Sequence, residues 1–110
     1  MAQNSLYKGS LSTIILKLLN DKGRMYGYQI TREVEQITSG DLKITEGALY
    51  PVLHKLEAQG LLSVELKKVN NRQRKYYFIT EKGKKETTGL LNDMKSFIQN
   101  MGILLNPELT

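Results

Sequence analysis

The fold of this chain is decided by residues 45–60, which read TEGALYPVLHKLEAQG. Thr45 can accept a hydrogen bond from the free amides at the start of a helix, and Gly60 can adopt the left-handed conformation that ends one. The apolar residues between them are spaced three or four apart: Leu49, Val52, Leu53 and Leu56. The stretch therefore predicts an amphipathic helix with one buried face and one polar face.

Pro51 is unusual inside this predicted helix, because its ring presses on the carbonyl group four residues earlier. The residue at that position is Gly47, whose backbone has unusual conformational freedom. We therefore predict a helix from about Glu46 to Gln59 with a bent or loosened first turn.

Two further helices are predicted before this stretch. The first has apolar residues at helical spacing, namely Leu11, Ile14, Ile15, Leu18 and Leu19. Ser10 or Ser12 can cap its start, and Gly23 can end it. The second is weaker and runs from about Tyr26 to Thr38. Its inward-facing residues are expected to be Ile30, Val34 and Ile37.

After residue 60 the apolar period changes to two, which predicts a half-buried strand with Leu62, Val64 and Leu66 facing inward. Asn70 and Asn71 favour a tight turn, and residues 74–79 are rich in aromatic and β-forming side chains. Together these patterns predict a hairpin. Tyr76 and Tyr77 should lie on opposite faces of it, and the period alone does not show which one is buried.

A last helix is predicted after Thr80, which can cap it. Its apolar residues form two adjacent columns with alternate spacings of four and three: Leu90, Met94, Phe97, Met101 and Leu104, with Leu91, Ile98 and Leu105. So wide an apolar seam is unfavourable in water. We predict that it packs on the chain's own domain and on a second copy of the chain.

Three helices, a hairpin and a long helix predict a mainly α fold of the winged helix-turn-helix type. The expected organisation is a winged-helix domain over residues 1–80 and a C-terminal dimerisation helix over residues 81–110. The chain has 110 residues, enough for one core, and no cysteine. Its start has no signal-peptide pattern, and no stretch approaches the roughly 18 apolar residues of a membrane span. We therefore expect a cytoplasmic protein with no membrane partner.

The positive charge is concentrated in the hairpin and the start of the last helix. Residues 67–85 contain eight basic residues and one acid, a net charge of +7, whereas the whole chain carries +5. A basic region joined to a slightly acidic remainder indicates a polyanionic partner such as double-stranded DNA. A solvated lysine-rich surface is the alternative interpretation.

Candidate DNA contacts follow from this layout. A helix over residues 45–60 fits the major groove, and unpaired amides make its first turn positive. The candidates on this helix are Thr45, Glu46, Tyr50, Pro51, His54 and Lys55. The hairpin adds Lys67, Lys68, Arg72, Arg74 and Lys75, which could enter the minor groove or lie along its phosphates. For Tyr50, burial against the first helices is an equally good interpretation.

No catalytic constellation is recognisable in the sequence. His54 is the only histidine, and a metal site needs several convergent ligands, so we expect His54 to face solvent or DNA. The glycines form no phosphate-binding motif. We predict a protein that is not an enzyme and that uses neither a cofactor nor a metal.

Three stretches together resemble the PadR-like transcriptional regulators. They are GYQI at residues 27–30, EGALYPVLHKLEAQGLL at residues 46–62 and RQRKYYFITEKG at residues 72–83. The resemblance implies a winged helix, a dimer formed through the C-terminal helix, and repression of a nearby promoter that a small molecule relieves. The single last helix is similar to that of the compact members of the family. Lys55 stands where the family usually has arginine, which keeps the charge and loses the bidentate fork.

The resemblance also bears on an effector. Some compact relatives respond to phenolic acids, and others bind flat hydrophobic drugs between their subunits. The drug-binding type has a tryptophan in its last helix, whereas this chain has none. A pocket between the first and last helices is one interpretation and a filled core is the other. The pocket would be lined by Ile14, Ile15, Leu18, Met94, Phe97 and Met101.

The leading hypothesis is a homodimeric repressor whose two copies of the helix at residues 45–60 enter successive major grooves of a palindromic operator, roughly 34 Å apart. The alternative is a winged helix that contacts another protein, with the basic hairpin as a solvated surface. A third hypothesis, a carrier of small apolar molecules, does not account for the concentrated positive charge.

Overall fold

The computed structural model describes residues 6–106 and Glu108. Its elements are α1 (Leu11–Lys22), β1 (Met25–Tyr26), α2 (Gly27–Ile37), α3 (Glu46–Ala58), β2 (Leu62–Val69), β3 (Arg72–Ile79) and α4 (Glu81–Leu105), with a short 3-10 turn, Lys8–Ser10, before α1. The predicted fold class, a winged helix followed by a long helix, is confirmed. The outer limits of the two predicted domains, residues 1 and 110, lie outside the described residues.

The core lies between the first three helices and one face of the sheet. Its buried side chains from the helices include Ile15, Leu16, Leu19, Ile30, Leu49, Leu53 and Leu56. The apolar face predicted for residues 45–60 is thus buried, with Val52 partly exposed at its edge. Leu16 was not on the predicted stripe of α1. It is buried because α1 packs against α4 as well as against α3 and the sheet.

Two apolar residues predicted to face inward are exposed, and one predicted cap is absent. Ile37 is 62% exposed because it is the last residue of α2, and Leu66 is 55% exposed because the distal half of the hairpin extends beyond the helices. Ser10 occupies the N-cap position of α1, but its hydroxyl makes no hydrogen bond to a helix amide.

Strand β1 was not predicted, because two residues are too few to show a period. It pairs antiparallel with β3, with Met25 opposite Tyr77 and Tyr26 opposite Tyr76, so β3 is the central strand of three. Tyr77 is completely buried in the core, whereas Tyr76 lies on the opposite face of the sheet and is half-buried. The structure thereby answers which of the two tyrosines belongs to the core.

The hairpin turn is made by Asn70 and Asn71, as predicted. Their φ angles are 51° and 64°. A two-residue turn with positive φ at both positions matches the right-handed twist of the flanking strands, and asparagine adopts this conformation more readily than most residues with a side chain. The turn fixes the register of the hairpin, in which Val69 pairs with Arg72 and Lys67 with Arg74.

The hydroxyl of Tyr77 is the one buried side-chain polar group in residues 6–106 and 108 that has no hydrogen-bond partner there. Burial raises its pKa, and the negative charges of Glu57 and of ionised Tyr50 raise it further. Because the pKa in the folded state exceeds the unfolded value of about 10, ionisation is disfavoured by folding. The stability that depends on neutral Tyr77 is therefore fully present below pH 10, and it is lost as pH rises through the raised pKa.

We expect Tyr77→Phe to leave the free energy of unfolding unchanged at neutral pH, or to raise it by about 1 kcal/mol, because the substitution removes an unpaired buried hydroxyl. Above pH 10 the variant should lose less stability than the wild type. Urea unfolding between pH 7 and pH 11 measures both effects, with the exposed Tyr28→Phe as the matched control. A clear loss of stability at neutral pH would contradict the expectation.

Candidate nucleic-acid interface

Helix α3 begins and ends where its sequence predicts. The Oγ1 atom of Thr45 accepts a hydrogen bond from the backbone N–H of Ala48 at 3.2 Å, and Gly60 has a φ of 78° just beyond the helix. The helix continues through Pro51 without a break. The sequence thus positions a rigid helix whose amino-terminal amides lie at one end of its exposed face.

The exposed face of α3 is a narrow stripe. Five of its six predicted contact residues are exposed and the sixth, Tyr50, is half-buried; the exposed ones are Thr45, Glu46, Pro51, His54 and Lys55. Residues 46–47, 50–51 and 54–55 recur every four positions, so they share one side of α3, where Tyr50 lies at the edge that packs against the core. This stripe has one basic side chain, Lys55, and one acidic side chain, Glu46.

Tyr50 packs against the first residue of α2. A Cβ atom added to Gly27 would lie 2.3 Å from Oη and 2.8 Å from Cζ of Tyr50, so only glycine leaves room for this ring. On its other side Tyr50 lies beside His54, with 6.2 Å between ring centroids. The ring therefore packs from α3 onto the start of α2 and is half-buried. This agrees with the burial considered from the sequence.

The hairpin β2–β3, here called the wing, has basic residues on both of its faces. Paired residues lie on the same face and successive residues alternate. Since Lys67 pairs with Arg74 and Val69 with Arg72, the residues Lys67, Arg72 and Arg74 lie on the face turned away from the core, here called the outer face. Lys68 and Lys75, which pair with Gln73 and Leu66, lie on the opposite face of the wing.

The outer face has more positive charge than its one acid can neutralise. Like charges directly opposite each other, as in the Lys67–Arg74 pair, destabilise a hairpin. Glu65 partly compensates for this repulsion, since its carboxylate lies 3.9 Å from Nζ of Lys67. The same carboxylate also forms an ion pair with Arg24. The remaining wing cations form no ion pair within residues 6–106 and 108; they are Lys68, Arg72, Arg74 and Lys75.

The residues predicted for dimerisation divide α4 into two parts. The first part packs towards the domain, with Leu90 against the core and Leu91 and Met94 half-buried. The second part leaves most of its apolar side chains in solvent. Their exposed fractions are 58% for Phe97, 61% for Ile98, 73% for Leu104 and 78% for Leu105, while Met101 is half-buried.

The residues suggested for an effector pocket do not all line one cavity. Ile14 and Leu18 line an open groove of about 420 Å³ that is completed by Val34 and Ile37 of α2 rather than by α4. Ile15 is fully buried in the core. Met94, Phe97 and Met101 lie along α4.

Among residues 6–106 and 108, no three His, Asp or Glu side chains are grouped so as to hold a metal ion. In the same part of the chain, none of the helices combines the length and the apolar character needed to cross a membrane.

Two residues beside the interface were missed from the sequence, namely Arg24 and Tyr26. Arg24 forms an ion pair with Glu65, and the Arg74 guanidinium lies 4.1 Å from the ring centroid of Tyr26. Both residues reach the wing only because β1 pairs with β3. No local pattern could have shown this contact.

Comparison with known proteins gives one consistent result. The profile of the family described as "Transcriptional regulator PadR-like family" matches residues 15–89. "Uncharacterized protein X" of Lysinibacillus sphaericus is 34% identical over 94 residues, which cover 84% of this chain and 85% of that protein. "Transcriptional regulator Rv3488" of Mycobacterium tuberculosis is 36% identical over 64 residues, 58% of this chain and 57% of that protein.

Solved structures agree with this match. A transcriptional regulator from Clostridium thermocellum superposes with a TM-score of 0.82 at 28% identity, over 89% of this chain and 95% of that one. A PadR family transcriptional regulator from Eggerthella lenta superposes with a TM-score of 0.80 at 27% identity, over 93% of this chain and 87% of that one. The similarity therefore covers the winged helix together with α4.

Proposed function

The chain belongs to the PadR-like family of transcriptional regulators, and from this premise we propose that it is a homodimeric repressor of a palindromic operator. As a member of that family it is a DNA-binding regulator and not an enzyme. In the proposed complex α3 of each subunit enters a major groove, and the wing lies along the phosphates of the adjacent minor groove. The protein would act in the cytoplasm, where it has access to DNA.

The main support for this mode of binding is the set of wing cations that have no acidic partner. Lys68, Arg72 and Lys75 are exposed and form no ion pair with the described residues. Phosphates would supply the missing negative charge. The exposed stripe of α3 has few long polar side chains, so we infer that α3 places the protein in the groove while the wing provides much of the affinity. DNA shape would then contribute to specificity.

The support for a homodimer is the exposed apolar second half of α4. A second copy related by a two-fold axis would cover it, because a symmetric interface brings the same helix from both chains together. The two α3 helices would then face successive major grooves, roughly 34 Å apart. The other interpretation from the sequence, a winged helix that contacts a different protein while its basic wing is a solvated surface, does not account for the unneutralised cations.

The effector and the repressor role rest on the family resemblance. A small apolar or phenolic effector would have to bind one of two conformations more tightly in order to release DNA. The α1–α2 groove containing Ile14 and Leu18, and the α4 residues Met94 and Met101, which are half-buried, and Phe97, which is exposed, are apolar surfaces that could form such a site when two subunits associate.

Binding to DNA across a salt series tests the proposed function. We expect the protein to bind a duplex that covers the region upstream of its own gene at least about a thousandfold more tightly than a mixed-sequence duplex of equal length. The affinity for both should fall steeply with salt, because each phosphate contact releases counterions. Fluorescence anisotropy measures both quantities. Absence of binding at low salt would contradict the proposal.

Introducing charge into the apolar half of α4 tests the homodimer. The wild type should have twice the chain mass of 12.5 kDa in light scattering. The double variant Phe97→Asp, Leu104→Asp should be a monomer with weaker DNA binding, because the introduced carboxylates would have to be buried at the interface. Gln99→Asp adds a charge on the opposite side of the helix and should remain dimeric. A monomeric wild type at micromolar concentration would refute the dimer.

A further inference from the structure

The outer face of the sheet has a row of stacked cations and aromatic rings. The guanidinium carbon of Arg74 lies 4.1 Å from the ring centroid of Tyr26, which is close contact for a cation–π pair. The Tyr26 ring packs edge to face on Tyr76, with 5.5 Å between centroids and 79° between planes. Nζ of Lys67 lies 5.6 Å from the Tyr76 centroid. Tyr26 therefore contacts Arg74 of β3 directly and is connected to Lys67 of β2 through the Tyr76 ring.

Tyr26 belongs to the helical domain rather than to the wing. It is the second residue of β1, and its backbone N–H donates to Oε1 of Gln29 in the first turn of α2 at 3.1 Å. Its ring thus connects the base of α2 to the wing. Arg74 is half-buried under this contact, whereas Arg72, two residues nearer the turn, is exposed.

The next residue, Gly27, makes the equivalent contact to α3. The Tyr50 ring of α3 lies directly on it, at a distance that no side chain would permit. Two consecutive residues therefore contact the two elements that face DNA in the proposed complex. We propose that Tyr26 and Gly27, here called the junction, set the angle between the wing and α3, and that Tyr26 is a positioning residue for DNA binding.

The physical need for such a residue follows from the shape of the wing. Beyond Tyr76, strand β3 has only β2 as a neighbour, and the wing has no core beneath it. A two-stranded ribbon of this kind is marginally stable and free to twist. Removing the Tyr26 ring would leave Arg74 opposite Lys67 without its cation–π contact. The wing would then sample many orientations. Few of them would bring its cations to the phosphates beside the groove that α3 occupies.

The inference rests on the proposed DNA-binding mode and is tested by replacing Tyr26. Tyr26→Leu should weaken binding to the upstream duplex about tenfold. The dependence on salt should be unchanged, because no phosphate contact is lost. Tyr26→Phe, which keeps the ring, should bind like the wild type. Phe78→Leu is the matched control: it removes a ring that lies 5.6 Å from Arg24 on the same face. We expect Phe78→Leu to lower the free energy of unfolding by about as much as Tyr26→Leu does, without weakening DNA binding.

Gly27→Ala provides a second, independent variant. It should displace the Tyr50 ring and weaken binding to a similar extent, and combining it with Tyr50→Leu should cost no more than Tyr50→Leu alone, since the displaced ring is then absent. Normal affinity of a folded Tyr26→Leu protein would overturn the inference, as would an equal loss in Phe78→Leu. Failure of the wild type to bind any duplex would instead overturn the proposed function.

Discussion

Gly83→Ala is expected to destabilise the protein by about 2 to 3 kcal/mol, although alanine is favoured over glycine inside a helix by about 1 kcal/mol. A Cβ atom at this position would lie 2.2 Å from the carbonyl oxygen of Leu61 and 2.7 Å from Cγ1 of Ile79. The first of these atoms belongs to the backbone. The clash can therefore be relieved only by moving α4 away from the sheet.

Such a movement would break several hydrogen bonds that hold the start of α4. The Thr80 hydroxyl donates to the carbonyl oxygen of Gly60 at 2.7 Å and accepts from the backbone N–H of Gly83 at 3.0 Å. The Thr80 N–H donates to the carbonyl oxygen of Leu61 at 3.1 Å. These bonds join the end of α3, the start of β2 and the cap of α4. The free energy cost of the added methyl group at residue 83 thus includes the loss of these hydrogen bonds.

Gly89→Ala in the same helix is the matched control for this prediction. A Cβ atom at Gly89 has no neighbour within 4 Å, so the substitution should raise the free energy of unfolding by about 0.5 to 1 kcal/mol. Urea unfolding of the two variants under identical conditions measures the contrast. Equal effects from the two substitutions would show that α4 does not pack on Leu61 in solution.

Replacing Lys68, Arg72 and Lys75 with alanine is expected to weaken DNA binding about a hundredfold or more at moderate salt. Each residue is exposed and forms no ion pair with the described residues. If each contacts one phosphate, the slope of log affinity against log salt should fall by about 2.7 in magnitude. Arg74 is left unchanged, because it stacks on Tyr26 and its loss would also disturb the orientation of the wing.

A variant with the same change in net charge provides the control. Lys17, Lys22 and Lys95 lie on α1 and α4, outside the wing, and their replacement by alanine should alter affinity only slightly. Anisotropy titrations over a salt series give both affinity and slope. If the wing variant kept its DNA affinity, the wing would be a solvated surface, and the protein–protein interpretation would become the better one.

Local patterns were enough to predict most elements of this fold. The spacing of Leu49, Val52, Leu53 and Leu56 predicted α3, and Thr45 and Gly60 predicted its ends. These signals depend on residues that are close in the chain and interact within one helix. The asparagine pair predicted the turn for the same reason, since the positive φ angles are a property of two adjacent residues.

Other features depend on which segments meet, and local patterns contain no information about that. Strand β1 exists because Met25 and Tyr26 meet β3, some fifty residues later in the chain. That pairing also brings Tyr26 to Arg74. Ile37 and Leu66 continue an apolar pattern beyond the region that the other helices cover, so their exposure could be known only from the packed structure.

The candidate nucleic-acid interface divides in the same way. The sequence by itself determined a capped helix with one polar stripe and a hairpin rich in unneutralised cations, because period, capping and charge are properties of neighbouring residues. Only the tertiary structure decided that Tyr77 is buried, that Tyr50 packs on Gly27, and that Arg74 stacks on Tyr26. Those contacts join separate segments, and their geometry is set by packing around the common core.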